Sequence, residues 1–100
     1  MGKKITFNEC RDLVQEGNEE ALLADGFEDA LIGTVELWMP SGNGAAPRTL
    51  ALYDKAKCID ILVKRDGMSP DEAFEYLEYN TLGAYAGENT PAFATIFRKA

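Results

Sequence analysis

Carboxylates are the side chains of this chain with the most chemistry to offer, and they gather in two places. One is "KRDGMSPDEAFEYLEYN", residues 64–80; the other is the group Asp25, Glu28 and Asp29. A carboxylate-rich stretch around a glycine could be a calcium loop. With Gly67 at the sharp turn, the ligand positions would fall on Leu62, Lys64 and Asp66, with Ala73 where a bidentate Glu belongs, so the pattern fails. A phosphate cradle needs a glycine-rich run followed by Lys and a hydroxyl at fixed offsets, and this stretch has one glycine and no such Lys. Asp25, Glu28 and Asp29 precede an apolar strand pattern and could hold Mg²⁺ in a small carboxylate enzyme; a solvated loop explains them equally well. The chain has no histidine, which removes the usual general base, the usual zinc ligand and the Ser-His and Cys-His pairs. No cofactor, metal or catalytic residue is expected.

Two cysteines, Cys10 and Cys58, are too few and too far apart for a disulfide framework or a zinc site. They read as buried thiols in a reducing compartment. The chain carries no apolar run near the ~20 residues that a spanning helix needs, and no hydrophobic stretch follows the N-terminal lysines as a secretory signal would. Gly2 and Thr6 fit the myristoylation pattern only in its barest form. The net charge is −7, and residues 5–36 concentrate it, with nine acids against the single base Arg11. A basic face for direct nucleic-acid binding is therefore not expected.

The elements that position these groups follow from period and punctuation. Thr6-Phe7-Asn8-Glu9 reads as a capping box opening a helix, with Phe7, Cys10, Leu13 and Val14 on one face and Gly17 at its end. Asn18 should cap a second short helix through Ala21, Leu22 and Leu23, stopping at Gly26. Residues 31–39 alternate, placing Leu31, Gly33, Val35, Leu37 and Met39 on one apolar strand face. Residues 40–47 look like a mobile loop, and 48–53 like the returning strand of an antiparallel hairpin. Asp54 caps a helix over roughly 55–65, although the β-branched content of 58–63 leaves a strand open. Within 64–80, Gly67 ends one helix, and Ser69, Pro70 and Glu72 cap, start and box the next, with Phe74 and Leu77 facing inward. Residues 81–86 and 92–97 are strand candidates around the turn "GENTP". The expectation is one α+β domain over residues 1–100, with residues 1–4 flexible and helices on one face of an antiparallel sheet.

"DALIG" (29–33), "YDKAKCIDIL" (53–62), "RDGMSPDEAFEYLEYN" (65–80) and "GAYAGENTPAF" (83–93) together resemble a group of small bacteriophage-encoded proteins of unknown function. The resemblance covers about residues 26–97. Its matching positions are Tyr53, Asp54, Lys57, Cys58, Asp66, Gly67, Glu72, Asn80, Gly83, Glu88, Thr90 and Pro91. It implies a soluble phage-encoded protein working in the host bacterial cytoplasm, and it carries no activity to transfer.

An accessory factor that binds a host protein is the leading expectation. Its candidate contact residues are Glu16, Glu19, Glu20, Asp25, Glu28 and Asp29 in the acidic third, Tyr76 and Tyr79 beside Glu75 and Glu78, and Glu88, for which no structural role is evident. Partial nucleic-acid mimicry is the alternative, as an anti-restriction or anti-defence inhibitor. One turn of duplex carries roughly 20 charges, so the acidic third matches less than half a turn. The small Mg²⁺ enzyme is the third reading.

Overall fold

The computed structural model describes residues 5–82 and 87–99, the side chains of Thr81 and Leu82 excepted. Residues 1–4, including Gly2, and residues 83–86 of the strand candidate 81–86 lie outside the described residues. The architecture is α+β, built on a three-stranded sheet of order β1-β2-β3. Helix α1 is Phe7–Gly17, β1 is Leu31–Ser41, β2 is Gly44–Asp54, α2 is Lys55–Asp66, α3 is Pro70–Tyr76, and β3 is Ala92–Ala94. A wide π turn, Leu77–Leu82, continues α3. No helix among the described residues is long and apolar enough to cross a membrane.

Each helix starts where its sequence places a cap. The Glu9 amide donates to Thr6 Oγ1 at 3.2 Å, and the Thr6 amide donates back to Glu9 Oε1 at 3.1 Å. Asp54 accepts from the amides of Ala56 and Lys57 at 3.0 and 3.4 Å, which settles 55–66 as helix despite its β-branched residues. Gly67 adopts φ 70°, the left-handed conformation that closes α2. Ser69 and Glu72 then exchange bonds of 3.2 and 3.0 Å to open α3. The stretch 64–80 is thus a joint between two helices.

The helix expected after Asn18 does not form. Asn18 caps the end of α1 through its amide, and its Oδ1 accepts from the Glu20 amide at 3.0 Å, a local turn. The amides that would continue a helix are claimed from afar. Leu22 donates to the Asn89 carbonyl at 3.0 Å, and Ala24 donates to the buried Tyr53 hydroxyl at 2.8 Å. So short a segment gains little from helix alone, and the tertiary bonds win. Leu13 and Leu22, expected inside, are exposed.

The hairpin is longer and tighter than expected. Ser41 pairs with Gly44 across the two-residue turn Gly42-Asn43, so residues 40–47 are not a mobile loop but ladder and turn. Gly42 has φ 58°, as the first central residue of a type II′ turn requires. Pro47 is tolerated because β3 pairs with β2 only at Leu52–Asp54, leaving the flank of β2 beside Pro47 open. β3 joins in parallel, so the full sheet is mixed, and the strand candidate 92–97 shortens to three residues.

A register shift between Leu31 and Gly33 splits the apolar row of β1. Leu31 lies opposite Tyr53, on the face where Tyr53 and Ala51 enter the core with Cys10, Val14, Cys58, Leu62 and Leu77. Gly33 and Val35 lie opposite Leu52 and Leu50, so they, Leu37 and Met39 point to the other face. The helices pack on the Ala51–Tyr53 face, and Phe93 stacks on Tyr53 with ring centroids 5.3 Å apart.

Candidate functional site: an apolar arm and two charged surfaces

Beyond the helices, the hairpin projects residues 37–47, "LWMPSGNGAAP", eleven residues without a charge in a chain of net charge −7. Trp38 is 72% exposed there, and Leu37, on the opposite face of the arm, is also exposed. The alternation of residues 31–39 sets Trp38 across the strand from the row of Leu37 and Met39 and gives it no role. The signal available was the absence of charge between Glu36 and Arg48, hidden because the pattern divides that stretch between a strand over 31–39 and a loop over 40–47.

The acidic third divides in two. Glu16, Glu19 and Glu20 surround one shallow depression where α1 runs into the Asn18 turn. All three are exposed, and none has an ion pair among the described residues. Asp25 is exposed as well. Glu28 and Asp29 instead line a cleft of about 690 Å³ whose opposite wall, on α2, carries Lys57, Asp60, Lys64 and Arg65. Lys64 pairs with Asp60 at 3.0 Å, and Arg65 donates to the Gly26 carbonyl at 2.7 Å while Gly26 donates to Glu28 Oε2 at 2.7 Å. The cations facing Glu28 and Asp29 compete with any metal ion. Among the described residues no three acidic, Cys or His side chains converge as a metal cage, so Asp25, Glu28 and Asp29 do not assemble the Mg²⁺ site considered from sequence.

Glu88 has a structural partner after all. It lies 3.5 Å from Arg48 in an ion pair, and Arg48 also donates to Asn89 Oδ1 at 3.0 Å. That oxygen accepts a second bond, from Asn18 Nδ2 at 2.9 Å, and the same Nδ2 donates to the Thr49 carbonyl at 3.0 Å. One polar node therefore ties the end of α1, the middle of β2 and the "GENTP" turn. Asn80, one of the positions that carry the resemblance, lines a groove with Glu72, Tyr76 and Tyr79.

Ala73 on α3 and Leu77 at the start of the π turn are fully buried, but Phe74 turns outward and is 47% exposed. Tyr76 is exposed, and Tyr79 stands 81% exposed on the π turn. Lys55 reaches across from the start of α2, its Nζ 4.8 Å from the Phe74 ring centre and 2.6 Å from Glu78 Oε1.

Both thiols are buried, which disfavours the reactive thiolate. Burial pushes Cys58 up to about 11, with Asp54 adding to the shift, and burial raises Cys10. Burial also raises Tyr53, against the bond to the Ala24 amide, with smaller contributions from Glu28 and Asp25. No family model matches the chain, and no curated protein or solved structure matches it either.

Proposed function

We propose that this is a phage-encoded accessory protein that acts in the host bacterial cytoplasm by binding a host protein. The resemblance of residues 26–97 supports the phage origin and the compartment. The observation that carries the binding reading is the uncharged hairpin arm with Trp38 and Leu37 exposed. Trp is among the residues that anchor interfaces most strongly, because one rigid side chain desolvates a large area. Exposed carboxylates of one sign, Glu16, Glu19 and Glu20, speed the approach of a basic partner without supplying much affinity. The arm then holds what the acids steer.

Affinity capture from host lysate, followed by mass spectrometry, tests this with the parent chain and a Trp38→Ala variant whose circular dichroism matches the parent. One stoichiometric protein retained by the parent and lost by Trp38→Ala is the expected result. Retention of the same protein by both would remove the arm from the interface. Capture of many nucleic-acid-binding proteins, released by salt, would favour mimicry. No captured protein, together with Mg²⁺-dependent turnover of a nucleotide, would replace the binding reading with an enzymatic one.

A further inference from the structure

Two shallow grooves meet at Glu75 and Tyr79. One, of about 630 Å³, is lined by Phe74, Glu75, Glu78 and Tyr79. The other, of about 360 Å³, is lined by Met68, Glu72, Glu75, Tyr76, Tyr79 and Asn80. Each joins aromatic rings to carboxylates, the pairing that recognises an organic cation: the ring quadrupole attracts it, and the carboxylate takes its N–H groups.

The first groove already shows this chemistry with the chain's own lysine. Lys55 Nζ sits 4.8 Å from the Phe74 ring centre and donates to Glu78 Oε1 at 2.6 Å. The second pair, Tyr79 and Glu75, has no such occupant. Glu75 is exposed and makes no ion pair or hydrogen bond among the described residues, and Tyr79 is the most exposed tyrosine of the two in the groove. Glu72 is committed to the Ser69 cap, which holds its carboxyl below the usual range through bonds to the Ser69 amide and hydroxyl, so it stays charged beside the groove. Phosphates would meet three carboxylates here, which selects against nucleic acid.

We propose that the Glu75–Tyr79 surface binds an arginine or lysine side chain presented by a basic segment of a partner protein, in the manner Lys55 already occupies the Phe74–Glu78 side. The two grooves share Glu75 and Tyr79, which suits a segment long enough to enter both. This surface shares no residue with the hairpin arm, so the two stand or fall separately.

The probe is the peptide acetyl-Gly-Arg-Gly-Gly-Arg-Gly-amide, titrated into ¹⁵N-labelled protein at low salt, beside its analogue with citrulline for each arginine. The arginine peptide should shift amide signals of residues 72–80, and the neutral, near-isosteric citrulline peptide should bind at least about tenfold more weakly. Tyr79→Ala and Glu75→Gln should each weaken the arginine peptide several-fold with circular dichroism unchanged, since both side chains are exposed. Trp38→Ala should leave the titration as it is. Equal binding of the two peptides, shifts centred on Glu16, Glu19 and Glu20, or indifference to Tyr79→Ala would each overturn the assignment.

Discussion

Cys58 is the residue whose chemistry the core most alters. It is fully buried, and its ordinary value of 9.0 rises to about 11. The folded state therefore keeps the proton that the unfolded chain releases above pH 9. Stability from this group is complete below that pH and is lost as pH rises through the folded value. Two units correspond to about 2–3 kcal/mol, so urea unfolding should show the parent losing that much more than Cys58→Ala between pH 8 and pH 11. A thiol reagent should label both cysteines slowly until the protein unfolds; fast native-state labelling of Cys58 would contradict the burial. Glu72 runs the other way. Its bonds to Ser69 lower it, so the cap stabilises α3 above the ordinary value of 4.5 and stops doing so as pH falls through the depressed folded value. Ser69→Ala should cost about 1 kcal/mol at pH 7 and less in acid, by denaturation at the two pH values.

Close approach and turn geometry decide the elements. A Cβ on Gly17 would stand 2.8 Å from Thr49 Cγ2, because the end of α1 presses on β2. Gly17→Ala should therefore destabilise by about 1–2 kcal/mol although alanine is the better helix former, and Thr49→Ala should recover most of the loss. Thermal denaturation of the two singles and the double reads the coupling; simple additivity would show that the contact is not the cause. At the α2–α3 joint nothing lies near a Cβ on Gly67, but its φ of 70° disfavours other residues. Gly67→Ala should cost about 1 kcal/mol and Gly67→Asn clearly less, since asparagine tolerates that conformation.

At the scale of the molecule, the acidic end of α1 touches β2 at Thr49, and the uncharged arm runs on from there. The acids of residues 16–20 sit at the end of α1, and the uncharged arm ends at the Gly42-Asn43 turn. Changing Glu16, Glu19 and Glu20 to Lys should move stability by less than about 1 kcal/mol for each, since all three are exposed and unpaired among the described residues. Association with the captured partner should slow at least about tenfold at low salt, and the difference should shrink near 0.5 M salt, where the Debye length is about 4 Å. Unchanged association at low salt would move the contact to the arm and to Tyr76 and Tyr79.

Local chemistry was legible in the sequence because it depends on neighbours a few residues apart. The two capping boxes, Asp54, Gly67, the hairpin and the buried Cys10, Val14 and Leu77 all follow from spacing and turn residues. What lay beyond reach depends on partners distant in the chain. Asn89 and Tyr53 take the amides of Leu22 and Ala24, and a helix gives way to a loop. Arg48 gives Glu88 a place, 40 residues on along the chain. One extra residue at Ile32 sends Leu31 to the core and Val35, Leu37 and Met39 to the opposite face, because side chains in a strand alternate and a single-residue slip reverses every one after it. Phe74 kept the spacing of a core residue, yet the tertiary structure filled the interior with Ala73 and Leu77 and left that ring for Lys55 and the solvent.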